Sequence, residues 1–225
     1  MDGILIVNKP QGMTSHDVVD FMRRRFGFKK VGHAGTLDPM ATGVLVMLIG
    51  KSTKHSNSLS NEEKEYEATM TLGARSDTGD AWGKLEPSGK LPDLRREDIE
   101  KVFAKFTGDI EQVPPMYSAI KMNGKKLYEL ARKGLSANPK ARKIRIKELV
   151  ITRIAMPEIS FRVVCSKGTY VRQLCVDIGE EFGCGAYLSK LTRTRSGNCR
   201  IEESISMDEL KGADIVFLGK KLFMS

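Results

Sequence analysis

Residues 32–43 read Gly-His-Ala-Gly-Thr-Leu-Asp-Pro-Met-Ala-Thr-Gly, and the only ionisable side chains among them are His33 and Asp38. Glycines let a large ligand approach the main chain, and the proline after Asp38 fixes the backbone dihedral φ at that point. The apolar run 44–49 follows and predicts a strand that holds one end of a loop rigidly. The pattern is typical of a loop built around a reactive carboxylate, although Asp-Pro is also a common start of an ordinary turn.

Hydrophobic periodicity along the rest of the chain predicts an α+β domain around a mixed sheet. Residues 3–7 form a short apolar run, and Thr14-x-x-Asp17 predicts the start of a helix that ends near Gly27. Residues 66–72 alternate apolar and polar side chains, the signature of a half-buried strand. The further predicted elements are a helix through 99–106, a turn at Asn123-Gly124, a helix over 125–132, strands through 144–154 and 161–165, and helices over 170–182 and 207–211. Thr169 is able to cap the helix over 170–182.

Composition places the chain among soluble globular proteins, since 40% of its 225 residues are hydrophobic and 29% are charged. The apolar runs are too short to cross a bilayer, so we expect a cytoplasmic protein with no membrane partner. The four cysteines contain no Cys-x-x-Cys pair, which argues against a zinc site and fits a reducing compartment.

The positive charge of the chain is concentrated in one segment. The net charge is +9, and residues 121–147, which we call the basic insertion, carry ten basic residues and a single acid, Glu129. Such a segment is either a solvated surface or a binding site for a polyphosphate. The candidate RNA contacts within it are Lys125, Lys126, Arg132, Arg142 and Lys143.

Three motifs occur in the order found in one known family. They are the 32–43 loop, Lys64-Glu65-Tyr66, and Gly168-Thr169-Tyr170-Val171-Arg172. Together they resemble the TruB family of pseudouridine synthases, which act on the T arm of tRNA. The resemblance implies the pseudouridine synthase fold, with a mixed sheet flanked by helices and a basic insertion that closes over the RNA. It also implies a catalytic domain over 1–200. Longer members of the family continue with a small C-terminal RNA-binding (PUA) domain, whereas here we expect only a short extension over 201–225 without a complete domain of that kind.

The resemblance assigns roles to individual residues. Asp38 is implied to act on the ribose of a uridine flipped out of its stack, and Arg172 to pair with the Asp38 carboxylate. Tyr66 is implied to stack on the target base, with Leu191 on the other side of that base. From the residues alone, Tyr66 and Leu191 are equally consistent with ordinary core side chains.

A second group of residues is implied to support or contact the RNA. These are Lys9, His33, Lys64, Asp80 and Arg193, of which Lys9 is expected to give structural and electrostatic support and Asp80 to buttress charged neighbours. Thr192 departs from the family pattern, because relatives often carry arginine there.

The function implied by the resemblance is isomerisation of uridine 55 in the T loop of tRNA, without metal or cofactor, by a monomer that needs no protein partner. Two rivals stay open at this point. One is a non-catalytic RNA-binding or tRNA-folding factor that uses the same basic surface. The other is a phosphodiesterase in which Asp38, Asp77 and Asp80 hold magnesium.

Overall fold

The structure is a computed structural model that describes residues 1–88, 91–122 and 124–223. The strands are β1 (Gly3–Lys9), β2 (Val31–Ala34), β3 (Thr42–Ile49), β4 (Lys64–Leu72), β5 (Ala74–Ser76), β6 (Leu85–Pro87), β7 (Gly108–Gln112), β8 (Lys121–Met122), β9 (Lys125–Lys126), β10 (Arg142–Ala155), β11 (Glu158–Cys165), β12 (Ala186–Ser196), β13 (Cys199–Arg200) and β14 (Ile205–Ser206). The helices are α1 (Ser15–Phe26), α2 (Ser56–Ser60), α3 (Arg96–Lys105), α4 (Leu127–Ala131), α5 (Val171–Glu181), α6 (Met207–Gly212) and α7 (Ile215–Lys221). Short 3₁₀ turns cover Gly50–His55 and Ile201–Glu203.

Helix α1 begins and ends where the sequence predicts. The Thr14 side chain accepts a hydrogen bond from the Asp17 backbone N–H, and the Asp17 carboxylate accepts one from the Thr14 N–H, at 3.1 and 2.7 Å. Gly27 ends the helix in the left-handed region with φ of 69°. Val18, Val19 and Met22 are buried on one face, as the helical spacing requires.

The first of two compact units comprises Met1–Glu67 and Leu191–Ser225. Its sheet is mixed: β1 is parallel to β14 and antiparallel to β3, and β3 is antiparallel to β2 and parallel to β12. A cluster of small and branched apolar side chains from β1, β2 and β3 forms the core: Ile6, Ala34, Val44, Val46 and Leu48. The register pairs Lys9 with Gly43, so one end of β1 lies beside the end of the Asp38 loop.

The second unit comprises Ala68–Lys190. Strands β11, β10 and β7 form an antiparallel sheet, and Phe103 of α3 packs edge-to-face on Phe161 with ring centroids 5.6 Å apart. Helix α5 approaches the first residue of β12 closely at Gly179, where a Cβ would lie 2.6 Å from the Gly185 carbonyl carbon. Strands β4 and β12 contribute residues to both units. The mixed sheet of the first unit, together with the helices, confirms the predicted α+β class.

Several local predictions are wrong in detail. The helix predicted over 125–132 is shorter, because Lys125 and Lys126 pair with Met122 and Lys121 in the β8–β9 hairpin. Half of the predicted Asn123-Gly124 turn, Asn123, lies outside the described residues.

The first three residues of the 32–43 stretch are not part of a loop, because β2 runs to Ala34 and includes His33. Thr169 does not cap α5. The N-cap residue is Tyr170, and the Thr169 hydroxyl instead donates to the Ser166 carbonyl at 3.0 Å. Helix α7 has no counterpart in the sequence prediction.

Candidate active site

The Asp38 loop spans residues 35–41 between β2 and β3, and backbone hydrogen bonds fix its shape. The Ala41 N–H donates to the Asp38 carbonyl at 3.0 Å and closes a tight turn, and the Gly12 N–H donates to the Pro39 carbonyl at 2.9 Å. The neighbouring Met40 and Ala41 side chains are buried, whereas Asp38 itself is only half-buried. The turn therefore anchors its apolar side chains inside and leaves the carboxylate partly open to solvent.

Ser15 is a loop support that the sequence did not indicate. Its buried hydroxyl accepts a hydrogen bond from the Leu37 N–H at 2.8 Å and donates one to the Leu37 carbonyl at 3.1 Å. The two residues are 22 positions apart, so no local spacing rule links them. The Thr14-x-x-Asp17 motif nevertheless positions Ser15 as the first residue of α1, which is how the helix reaches the loop.

Arg193 packs against the loop and forms hydrogen bonds to the backbone at both of its ends. Its guanidinium donates from Nη2 to the Gly35 carbonyl at 2.8 Å and from Nε to the Val44 carbonyl at 2.7 Å, and the residue is 1% exposed. A Cβ at Gly35 would lie 3.3 Å from Nη1, so only glycine leaves the guanidinium its full space. Arginine suits this role, because its planar fork presents several donors in fixed directions and stays charged.

Two buried lysines complete the support. Lys9 is 0% exposed, and its ammonium donates to the Pro10 and Met13 carbonyls at 2.9 and 2.7 Å. Lys64 is also buried, and its ammonium donates to the Ser60 and Glu62 carbonyls. Burial lowers the pKa of Lys9 to about 8, with the Asp38 charge opposing that shift and the Arg193 charge adding to it. Lys9 therefore lies within electrostatic range of the carboxylate that the sequence singles out.

The resemblance grouped Lys9, Lys64 and Arg193 with the residues that support or contact the RNA, and gave Lys9 a supporting role. The structure places all three inside the first unit, where they bind backbone carbonyls instead of facing solvent. Their burial favours a supporting role for the loop, and a direct contact with RNA stays a prediction.

The depressed pKa of Lys9 predicts a specific pH dependence of stability. An unfolded lysine titrates near pH 10.4, so between about pH 8 and 10.4 the unfolded chain binds more protons than the folded chain at this site. Raising the pH through this window therefore stabilises the folded state. We expect the unfolding free energy of the unsubstituted chain, relative to Lys9→Met, to be larger at pH 10 than at pH 7 in urea titrations.

The exposed Lys101 on α3 provides the control, because Lys101→Met makes the same substitution without removing a buried ammonium. A Lys9→Met difference that does not change between the two pH values would show that the buried ammonium has no depressed pKa.

Tyr66 and Leu191 lie on the neighbouring strands β4 and β12. Lys64 and Arg193 both approach Gly35, with Lys64 Cε 3.6 Å from the position of a Cβ there. Side chains two residues apart on a strand point to the same face, so Tyr66 shares the face of Lys64 and Leu191 shares that of Arg193. The two side chains, 9% and 8% exposed, therefore share the sheet face on which the Asp38 loop lies.

His33 is half-buried on β2, on the strand that leads into the loop. Burial lowers its pKa, and the nearby charges of Arg193 and His16 lower it further, so the imidazole is neutral at pH 7. Its Nδ1 is buried and makes no hydrogen bond to any other described residue. An imidazole in this state can take part in a hydrogen bond but supplies no charge.

The second unit holds Arg172 and Asp80 together. Arg172 is 4% exposed, and its guanidinium donates to the Thr78 and Tyr117 carbonyls at 2.8 and 3.0 Å. Its Nε lies 3.8 Å from Asp80 Oδ2, and the supporting role of Asp80 stays a prediction. The Asp80 carboxylate in turn accepts from the Thr78 hydroxyl at 2.8 Å. Arg172 and Asp38 belong to different units, and their pairing stays a prediction.

The basic insertion, also in the second unit, presents its charge to solvent. Lys125, Arg132, Arg142 and Lys143 are exposed and Lys126 is half-buried. The Lys126 ammonium and the Arg132 guanidinium each lie 5.4 Å from the centre of the Tyr128 ring, so the aromatic ring organises two of the candidate RNA contacts.

Over residues 1–88, 91–122 and 124–223, no three His, Cys, Asp or Glu side chains are grouped so that they could hold a metal ion. None of the helices in the same ranges has the length and apolar character to span a bilayer.

Two family models match the chain in succession. The TruB family pseudouridylate synthase (N-terminal domain) model matches residues 23–171, and the tRNA pseudouridylate synthase B C-terminal domain model matches residues 172–219.

Solved structures are similar over nearly the whole chain. A Cbf5-Nop10-Gar1 complex matches 99% of it with a TM-score of 0.76 and 29% identity, and an H/ACA RNP bound to a substrate RNA containing 2′-deoxyuridine matches 99% with a TM-score of 0.72 and 27% identity. The chain spans 60% and 58% of those two longer chains.

Curated relatives are more similar in sequence. A tRNA pseudouridine synthase B of Pelotomaculum thermopropionicum is 48% identical over 95% of this chain and 69% of its own length, and one of Syntrophomonas wolfei is 51% identical over 92% and 71%. The enzyme of the same name from Opitutus terrae is 43% identical over 99% of this chain and 92% of its own length. These matches confirm the resemblance drawn from the motifs: the chain belongs to the TruB family of pseudouridylate synthases and is an isomerase of that family.

Proposed function

We propose that this chain converts uridine 55 in the T loop of tRNA to pseudouridine, with Asp38 as the catalytic group. The observation that carries the proposal is the half-exposed Asp38 carboxylate on a turn that the buried cations Lys9 and Arg193 support from below. A group held in this way can act on a ligand with little reorganisation of the protein. The relatives named tRNA pseudouridine synthase B support tRNA as the substrate.

The reaction breaks the bond between uracil N1 and ribose C1′ and forms a new bond between uracil C5 and C1′. The electron pair of the broken bond leaves with the uracil, and the proton on C5 is lost and replaced at N1, so no oxidant or reductant is required. Asp38 either attacks C1′ as a nucleophile or removes the neighbouring C2′ proton to give a glycal. Both routes need an ionised carboxylate at this position.

Tyr66 and Leu191 hold the base while it turns. An aromatic ring and an apolar side chain on one sheet face provide two surfaces between which a detached uracil rotates without escaping. The Tyr66 hydroxyl is the proposed acceptor of the C5 proton. Arg172 is proposed to pair with the Asp38 carboxylate.

The target uridine must leave its stack before the carboxylate can reach its ribose. Extrusion costs a few kcal/mol and is easier in a loop than in a duplex. His33, on the strand that leads into the catalytic loop, is the proposed contact to the opened RNA loop. The exposed cations of the basic insertion bind the phosphates of the stem and close over it. The enzyme works as a cytoplasmic monomer, with tRNA as its only required partner.

The direct test is incubation of the protein with an unmodified tRNA transcript, without added metal or cofactor, followed by chemical mapping of pseudouridine. We expect one modified position, uridine 55. RNA that is bound but chemically unchanged would favour a non-catalytic RNA-binding or tRNA-folding factor. RNA cleaved in a reaction that chelators inhibit would favour the phosphodiesterase that uses Asp38, Asp77 and Asp80.

A further inference from the structure

Four lysines of the first unit surround one open cavity. Lys29, Lys30, Lys51 and Lys54 line a space of about 620 Å³, which we call the lysine cavity, together with Phe28 and Asp2. Residues 21–55 contain seven Lys and Arg residues and one acid, Asp38. Acidic residues elsewhere in the sequence offset this positive charge. The net charge of the whole chain therefore indicates only the basic insertion.

The fold brings the four lysines together from two places in the sequence. Lys29 and Lys30 follow the end of α1 and precede β2, and Lys51 and Lys54 lie in the 3₁₀ turn that follows β3. Strands β2 and β3 are antiparallel with Val31 opposite Ile49, and the Gly50 N–H donates to the Lys30 carbonyl at 2.9 Å. The end of β3 and the start of β2 are therefore adjacent, and both pairs of lysines meet there.

The positive charge in the lysine cavity is largely uncompensated. All four lysines are exposed, and in the part of the chain that the structure describes none of them forms an ion pair. The only carboxylate of the lining is Asp2, whose Oδ1 accepts the Lys51 backbone N–H at 2.8 Å. Four ammonium groups against one carboxylate favour an anionic ligand.

The lysine cavity lies far from the Asp38 loop within the same unit. Strand β1 pairs Gly3 with Ile49 at the cavity end and Lys9 with Gly43 at the loop end. Six residues of extended strand separate these pairs, which is about 20 Å at roughly 3.3 Å per residue. A ligand in the cavity cannot touch the reacting nucleotide, but an RNA bound at the loop is long enough to reach both places.

We propose that the lysine cavity is a second anchoring surface for the phosphate backbone of the RNA substrate. This inference rests on the proposed function, since it assumes that RNA is bound at the Asp38 loop. Lysine ammonium groups bind phosphates as point charges without reading the base sequence. The cavity therefore strengthens binding of the RNA body and leaves recognition of the target uridine to the catalytic loop.

The test compares two fourfold variants that lose the same net charge. The first replaces Lys29, Lys30, Lys51 and Lys54 by glutamine. The matched control also introduces four glutamines, at Lys84, Lys101, Lys105 and Lys211. Three of these lysines form ion pairs: Lys84 with Glu86, Lys105 with Glu181, and Lys211 with Asp208. Dissociation constants for unmodified tRNA are measured between 50 and 200 mM KCl. We expect the cavity variant to bind tRNA at least about tenfold more weakly. The slope of log affinity against log salt should become less steep by about 3. The control variant should change little in affinity and in slope.

A third variant with arginine at the four cavity positions keeps the charge and should retain the affinity. Equal loss with arginine, or an affinity and salt slope unchanged with glutamine, overturns the inference. So does lysine-dependent binding to vesicles of phosphatidylglycerol and phosphatidylcholine with unchanged tRNA affinity. These binding measurements are distinguishable from a failure of the proposed function, because that function is tested by pseudouridine formation in the unsubstituted chain and in Asp38→Asn.

Discussion

Asp38→Asn is expected to abolish pseudouridine formation while leaving tRNA binding nearly unchanged. Asparagine has the shape of aspartate, and the turn around residue 38 is held by the backbone bonds of Ala41 and Gly12, which the substitution does not remove. The amide can neither attack C1′ nor remove a proton. A positioned acid or base contributes about 10²–10⁴ in rate, so we expect a loss of at least about 10³-fold in single-turnover assays.

The exposed Asp93 supplies the matched control, because Asp93→Asn makes the same chemical change in a loop outside the proposed site. This variant should keep full turnover. Gel-shift or filter-binding titrations on both variants separate chemistry from affinity. Residual turnover within tenfold of the unsubstituted chain would show that Asp38 is not the catalytic group.

Gly43→Ala is expected to have the largest effect on the stability of the first unit. Gly43 adopts φ of +100°, and a Cβ there would lie 2.8 Å from the Arg193 backbone nitrogen and 2.9 Å from its carbonyl carbon, with the carbonyl oxygen closer still. These atoms belong to β12, which pairs with β3 at this residue, so they cannot move without breaking the sheet. We expect a loss of at least about 3 kcal/mol in unfolding free energy, measured by urea denaturation.

Gly27 separates the cost of the clash from the cost of the backbone angle. It has φ of +69° with no atom within 4 Å of an added Cβ, so Gly27→Ala should cost only about 1 kcal/mol. The Gly43 variant should also lose activity when folded, because the displaced strand carries the Arg193 guanidinium that joins the ends of the Asp38 loop. Equal destabilisation by the two substitutions would contradict the close approach of β12.

Patterns among neighbouring residues in the sequence predicted helix α1 and strand β4. Helix α1 follows from Thr14, Asp17 and Gly27, because the capping partners are three residues apart and the final glycine adopts a conformation that other residues avoid. Strand β4 follows from alternation, since one face of the strand is buried. The helix predicted over 125–132 is shorter in the structure, because its first two residues pair with β8 in a hairpin.

The burial of three cationic side chains could not be predicted from the sequence. Lysine and arginine are rarely buried, and the resemblance grouped Lys64 and Arg193 with the candidate RNA contacts and gave only Lys9 a supporting role. The structure buries them because backbone carbonyls accept hydrogen bonds from their ammonium and guanidinium groups and offset the loss of water. The carbonyl partners of Lys9 and Lys64 lie within four residues, whereas those of Arg193 lie 149 and 158 residues away.

The amino-acid sequence by itself determined the family and the α+β class and indicated Asp38 as the candidate catalytic carboxylate, because motifs, periodicity and caps depend on neighbours along the chain. Only the tertiary structure decided what supports that carboxylate and where the remaining charge collects. Arg193 meets Gly35, and Lys30 meets Lys51, through strand pairing between distant segments. Such pairing is set by the packing of the whole sheet, and no local pattern of residues specifies it.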